Sequence, residues 1–354
     1  MRTKAACVLF CAVVAFCSPV QPQHSHWEVG LNGSYAVSND FDMMEYACGA
    51  ASVDAAWVCR KKGDEFWRLY RHSPSFGLRA SFAHSPQALY GHRIGVVGFV
   101  RTPLCRWLDY SIGLGLSTYT RAQCFTGDPE NVFISSAVSC LIDIGLNLHL
   151  CDHLLLNASI LHSSNGMLYK PNQGVNFLQL GVAAQLGNDY ERSIDWQHSR
   201  SLIESVPSFP EREWSVALSA GAVLPRDTVL ANRYYPCYDL SFYFQRYLNP
   251  VVAFGGAVDL WYNGSHRPLV QRRMNSYKLP IYLSSMATAE LFWGPFSLKA
   301  GLGLVVVASS YVATPFYERL GAYWNFGRCF AGLALNARAG RVEFIEWTYG
   351  FRFR

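Results

Sequence analysis

A histidine and a serine lie two residues apart near the middle of the chain, at His162 and Ser164. They directly follow the amphipathic run from Leu154 to Leu161. On a β-strand, residues i and i+2 point to the same face of the sheet. The imidazole and the hydroxyl would then lie side by side, which is the arrangement that a serine nucleophile and its general base require.

The residues that follow this pair favour a turn. Turn-forming types occur at Asn165, Gly166, Pro171, Asn172 and Gly174. Gly166 is expected to supply a positive φ angle, and Asn172 and Gly174 are expected to shape the turn rather than to take part in catalysis. A His-x-Ser pair that stands alone on a strand is usually without function, so the hypothesis depends on the whole constellation.

The first part of the chain has the pattern of a secretory signal. Arg2 and Lys4 precede a uniformly apolar stretch, Cys7 to Phe16, which small residues close. This stretch is shorter than the roughly 20 residues that a membrane-spanning helix needs. Residues 1–22 are therefore predicted to be a cleaved signal peptide, with lipidation of Cys17 as the alternative.

The composition is typical of strands that face lipid on one side. The chain has 16% charged and 15% aromatic residues, whereas an average soluble domain has about 25% charged residues. The net charge of +5 comes without a basic cluster, so no nucleic-acid partner is expected.

The cysteines give no sign of a metal centre. The 11 cysteines are scattered and form no Cys-x-x-Cys pair, so no zinc site, other metal site or cofactor is predicted. An oxidising compartment would permit disulfides. Cys48 and Cys59, which are predicted to share one long outer loop, are the candidate pair.

Apolar residues alternate with polar or small ones along much of the chain. Alternating runs of about ten residues separated by turns indicate a transmembrane β-barrel, with a soluble sandwich or barrel as the alternative. Runs of this kind lie at 27–35, 110–118, 214–220, 238–247, 251–261, 280–292, 296–307, 316–326, 329–335 and 342–353.

The expected architecture is all-β: one transmembrane outer-membrane antiparallel β-barrel of about 16 strands. Outer loops are predicted at 38–63, 120–131, 164–173 and 264–279. Two tandem eight-stranded barrels are the alternative, because the polar segment Gly187 to Arg212 is long on the side where turns should be short. The predicted order is signal peptide, barrel half, polar linker and second barrel half, at 1–22, 24–187, 188–212 and 213–354.

The constellation around His162 resembles the signature of a known family. The run from His162 to Asn176 is similar to that of the outer-membrane lipid A 3-O-deacylases, which include acyloxyacyl-hydrolase-like proteins of Bacteroidetes-type bacteria. The resemblance covers roughly residues 75–186. It implies an eight-stranded outer-membrane barrel, to which the second half of this chain would be an addition.

The resemblance also implies roles for single residues. His162 would be the general base, Ser164 the nucleophile and Asn165 an oxyanion donor. The third catalytic residue of the family is a glutamate that orients the histidine, and its position falls on Asn176. An asparagine can orient an imidazole, but it cannot stabilise the imidazolium as a carboxylate does, which predicts a slower enzyme.

Two functions follow as hypotheses. The first is an outer-membrane serine esterase that removes an ester-linked acyl chain from lipid A or a related bilayer lipid. Its partners would be lipopolysaccharide, the membrane and the barrel-assembly machinery that inserts it. The alternative is a catalytically inactive outer-membrane barrel, a pore or a structural or adhesin protein, with a decayed His-Ser motif. A lipid-facing pair favours the esterase, and a pair that faces a water-filled lumen favours the pore.

Overall fold

The computed structural model describes most of the chain outside its N-terminal segment and several connections. The described residues are 24–37, 47–60, 74–86, 89–105, 107–166, 169–170, 172–187, 211–224, 233–268, 279–308, 314–338 and 341–353. The predicted signal peptide, Pro171 and nearly all of the predicted linker lie outside them.

The strands form two closed antiparallel barrels, each with its own strand order. The first barrel consists of β1 (His24–Val37), β2 (Cys48–Arg60), β3 (Ser75–His84), β4 (His92–Cys105), β5 (Leu108–Tyr119), β6 (Ser139–Cys151), β7 (Leu154–Ser164) and β8 (Val175–Leu186). A one-turn helix, α1 (Gln123–Thr126), lies between β5 and β6.

The second barrel has the same number of strands. It consists of β9 (Arg212–Val223), β10 (Tyr235–Asn249), β11 (Val252–Asn263), β12 (Ile281–Trp293), β13 (Phe296–Ala308), β14 (Phe316–Phe326), β15 (Cys329–Arg338) and β16 (Arg341–Phe353). Short links at Gly294 and Gly327, both with a φ of 63°, join β12 to β13 and β14 to β15, as the sequence predicts.

The all-β antiparallel class and the number of strands are confirmed, but the favoured single barrel is wrong and the tandem alternative is right. β8 pairs with β1 through Trp27 and Leu186, and β16 pairs with β9 through Phe353 and Trp214. Each set of strands therefore closes on itself. The long segment between Gly187 and Arg212 breaks the turn pattern because it joins two closed barrels.

The predicted outer loop 38–63 is also wrong, because β2 occupies half of it and pairs with β1 and β3. The strand is hard to recognise since its outward positions are mainly small residues such as Ala51 and Ala55. The predicted Cys48–Cys59 disulfide is wrong as well, because it assumed that both cysteines lie in that loop. The two cysteines lie at opposite ends of β2, about 35 Å apart at ~3.3 Å per residue, which is too far for a disulfide between them.

The lumen of the first barrel is filled with paired polar side chains. Arg101 donates to both carboxylate oxygens of Glu28, at 2.6 and 2.9 Å. Arg79 pairs with Asp143 at 3.0 Å. These inward residues alternate with outward apolar ones, which is the pattern of a barrel wall that faces lipid.

The second barrel is filled in the same way by two arginine clusters. Arg319 lies 2.6 Å from Asp239, and Arg352 lies 2.6 Å from Glu213 and 3.0 Å from Glu290. An eight-stranded barrel is just wide enough for side chains to fill its interior. Within the described ranges, no helix is long and apolar enough to cross a membrane.

Candidate functional site

The orientation of β7 places the predicted catalytic pair on the outer wall of the first barrel. Leu161 and Ser163 point inward and are 4% and 0% exposed, whereas Ile160 points outward and is 55% exposed. His162 and Ser164 alternate with the inward residues, so they share the outer face with Ile160. The sequence could not decide this, because the residues before His162 are apolar on both faces.

The structure brings His162, Ser164 and Asn176 together. His162 Nε2 lies 3.1 Å from Ser164 Oγ, and His162 Nδ1 lies 2.7 Å from Asn176 Oδ1. The antiparallel register of β7 and β8 pairs His162 directly with Asn176, so two neighbouring strands supply all three side chains.

These contacts define the tautomer of the imidazole. The carboxamide oxygen of Asn176 only accepts hydrogen bonds, so His162 Nδ1 carries the proton and donates it. Nε2 is then an acceptor for the hydroxyl of Ser164. This is the protonation state in which a histidine acts as general base toward a serine.

Asn165, the predicted oxyanion donor, is engaged elsewhere. Its amide Nδ2 donates to Ser135 Oγ at 2.9 Å and to the Tyr169 carbonyl at 3.1 Å. Its backbone N–H donates to Asn172 Oδ1 at 3.1 Å. Both amide hydrogens are therefore used by protein acceptors, and the oxyanion role of Asn165 stays a prediction that these contacts do not support.

The turn after β7 has the backbone that the sequence predicts. Gly166 and Gly174 have φ angles of 63° and 69°, a region that only glycine adopts at little cost. Gly174 lies directly against the site. A Cβ at this position would be 3.1 Å from Ser164 Cβ and 3.2 Å from His162 Cε1.

The sequence did not predict how the segment between β5 and β6 packs. We call residues 120–138, between β5 and β6, the capping loop. Phe133 and Ile134 in this loop are 0% and 1% exposed, and they pack in one cluster with Tyr90 and Phe177. The apolar run Val132 to Ile134, which directly follows the predicted outer loop 120–131, is the signal that could have revealed it.

The wall around the pair is apolar. Outward side chains on β6, β7 and β8 next to the site remain about half exposed: Ile144 at 54%, Ile160 at 55% and Leu178 at 51%. Side chains of this kind suit contact with acyl chains. The site therefore joins a hydrogen-bonded serine–histidine pair to an apolar surface that a lipid can cover.

In the described part of the second barrel, the end of β15 carries no equivalent pair. The corresponding outward positions near the end of β15 are Leu335 and Ala337, which alternate with the inward Asn336. Neither side chain carries a nucleophile or a base.

The fold and the site together define the class: a β-barrel with a polar, filled lumen and an apolar outer wall that carries a serine–histidine pair. The profile described as lipid A 3-O-deacylase (PagL) matches residues 51–185. The profile described as acyloxyacyl hydrolase, C-terminal domain, matches residues 212–354. Each barrel therefore matches a family profile of its own, the first that of the lipid A 3-O-deacylases and the second that of the acyloxyacyl hydrolase C-terminal domain, and the chain is an outer-membrane protein.

Solved structures give a weaker likeness. The crystal structure of the outer membrane enzyme PagL is 12% identical, with a TM-score of 0.31, and the match covers 44% of this chain and 97% of that one. Neisserial surface protein A is 9% identical, with a TM-score of 0.28, over 46% of this chain and 96% of its own. No curated protein matches the sequence.

Proposed function

We propose that this protein is an outer-membrane serine esterase that removes an ester-linked acyl chain from lipid A or a related bilayer lipid. The observation that carries the proposal is the hydrogen-bonded series Ser164–His162–Asn176 on the outer wall. The residues of the first barrel, 24–187, would form the catalytic half.

The geometry supports nucleophilic catalysis in two stages. Ser164 Oγ attacks the ester carbonyl and transfers its proton to His162 Nε2. The tetrahedral intermediate collapses, and His162 returns the proton to the departing alcohol. Water then attacks the acyl-serine with His162 again as base, which releases the fatty acid and restores Ser164.

The outward orientation supports a bilayer substrate. When an ester reaches Ser164 from the lipid side, its acyl chain lies beside Ile160 and Leu178. The acyl chain then contacts these apolar side chains instead of neighbouring lipid chains. A pore function is not favoured, because ion pairs fill both lumens where the structure describes them.

Asn176 sets the expected rate. Its carbonyl oxygen orients His162 but carries only a partial charge, so it stabilises the imidazolium less than a carboxylate does. We expect turnover below that of an enzyme with glutamate at this position. The partners would be lipopolysaccharide and, during insertion, the barrel-assembly machinery.

The test is mass spectrometry of lipid A from cells that produce the wild type or Ser164→Ala. Wild-type protein should convert lipid A to a species lighter by one acyl chain, and Ser164→Ala should not, while both are inserted in equal amounts. Unchanged lipid A in wild-type cells, together with no hydrolysis of other bilayer esters, would favour the inactive barrel.

A further inference from the structure

Asn131 is a polar side chain of the capping loop that is almost fully buried, with 1% exposed. Its Nδ2 donates to the carbonyl oxygens of Leu89, at 2.8 Å, and Arg121, at 2.6 Å. Its Oδ1 accepts from the backbone N–H groups of Phe133, at 3.3 Å, and Ile134, at 3.1 Å. The Asn131 carboxamide therefore connects the backbone at Leu89, at Arg121 and at residues 133–134 through hydrogen bonds.

The segment that Asn131 holds is bonded in turn to the loop that covers the catalytic pair. Gln173 N–H donates to the Val132 carbonyl at 3.1 Å, and Gly174 N–H donates to the Phe133 carbonyl at 3.2 Å. These two hydrogen bonds join the capping loop to the two residues that directly precede β8. Displacement of residues 132–134 would therefore move Gly174.

Gly174 connects the capping loop to Ser164 and His162, because it packs beside both residues. The free space beside its Cα is bounded by Ser163 O, Ser164 Cβ and His162 Cε1, which a Cβ would meet at 3.0, 3.1 and 3.2 Å. The backbone of Gly174 therefore lies beside both members of the pair, without room for a further carbon atom between them. A shift of this backbone toward the pair would displace Ser164 or His162.

We propose that Asn131 is a positioning residue for catalysis: through the Val132 and Phe133 carbonyls and Gly174, it holds Ser164 and His162 in hydrogen-bonding contact. The inference rests on the proposed function, because it assigns a role toward the same site. Asn131 lies outside the run 162–176, and it acts through other residues rather than on the substrate.

The experiment measures the reactivity of Ser164 separately from the amount of folded protein. Full-length barrels in detergent are reacted with a fluorophosphonate probe, in which Ser164 Oγ displaces fluoride from phosphorus. The rate per folded barrel is recorded beside kcat and KM for a micellar ester. Heat-modifiable gel mobility gives the folded fraction.

Asn131→Ala should lower the labelling rate and kcat at least tenfold with KM nearly unchanged, because the pair loses its geometry while the outer wall stays intact. Asn131→Asp keeps the acceptor for Phe133 and Ile134, so it should recover part of the rate. The matched control is Asn147→Ala, which removes a buried lumen amide bonded to Ser111 Oγ at 3.2 Å and should label like the wild type.

Wild-type labelling at Ser164 with an unchanged rate in folded Asn131→Ala would overturn the positioning role alone. Absence of labelling and hydrolysis in the wild type would instead overturn the proposed function. If Asn131→Ala does not fold, Gly174→Ala decides, because its added methyl group meets the pair without touching Asn131. A wild-type rate in Gly174→Ala would then refute the coupling.

Discussion

Asn176 is the residue at which this site departs from a serine–histidine–acid triad. Its hydrogen bond to His162 supplies orientation and tautomer, so only the charge is missing. Orientation and charge are separable contributions to the same catalytic step. This site therefore allows the charge contribution to be measured with the geometry already in place.

Asn176→Glu is expected to raise kcat roughly 10- to 100-fold, because a carboxylate stabilises the imidazolium during attack. The measurement is steady-state hydrolysis of a micellar ester by the variant and the wild type at equal folded concentrations. The double variant Ser164→Ala/Asn176→Glu is the control and should be inactive. A rate that stays at the wild-type value would show that charge at this position does not limit turnover.

The contact between His162 and Ser164 was predictable from the sequence, whereas the contacts around it were not. His162 and Ser164 are close because residues i and i+2 of a β-strand lie on the same face, and this spacing can be seen in the sequence. The partners of Asn165 are Ser135 and Tyr169, which belong to two different loops. Contacts between loops depend on the closed barrel, and no local pattern encodes them.

At the scale of elements, the strands follow from alternation wherever large apolar residues mark the outer wall. The pattern identified every strand of the second barrel, where Trp, Tyr, Phe and Leu occupy outward positions. It missed β2, since small residues such as Gly49, Ala51 and Ala55 occupy several outward positions of that strand. Small residues can form a strand, but they do not produce the alternation of large apolar and polar residues by which a strand is recognised.

The inward faces of the strands make a separate contribution to stability. Glu28 on β1 and Arg101 on β4 are each 5% exposed and face each other across the lumen. Two parallel hydrogen bonds join the carboxylate and the guanidinium. The pair thus links two strands that are not neighbours in the sheet.

Arg101→Ala should destabilise the first barrel by about 3–5 kcal/mol, because it leaves the carboxylate of Glu28 buried without its cation. The double variant Arg101→Met/Glu28→Gln should be closer to the wild type, since it removes both charges together. Urea-dependent unfolding in detergent micelles, followed by gel mobility, gives both values. Equal losses in the single and double variants would contradict the argument.

For the whole molecule, the main surprise is two barrels instead of one. Strand number and direction are local properties, so the sequence indicated them. Closure depends on which strands meet at the edges of a sheet, and each edge pairing brings together residues far apart in the chain. Two sequence features pointed to two barrels: the break in turn lengths after Gly187, and the resemblance of the first half to a family of eight-stranded barrels.

Because side chains fill both lumens, we expect that ions do not pass through either barrel. The purified protein should produce no stepwise conductance in a planar lipid bilayer, because charged pairs occupy the interior of both barrels. A general porin at the same protein-to-lipid ratio is the positive control. Discrete openings abolished by variants at Arg319 or Arg352 would show that ions pass through the second barrel.

The outward orientation of Ser164 has a kinetic consequence. A molecule that reaches the hydroxyl from the surrounding leaflet arrives by lateral diffusion in two dimensions. Its effective concentration is then its mole fraction among the lipids at that surface and is independent of the bulk volume. Dilution with inert lipid should slow such a reaction, whereas dilution of the whole suspension with buffer should leave the turnover of each molecule unchanged.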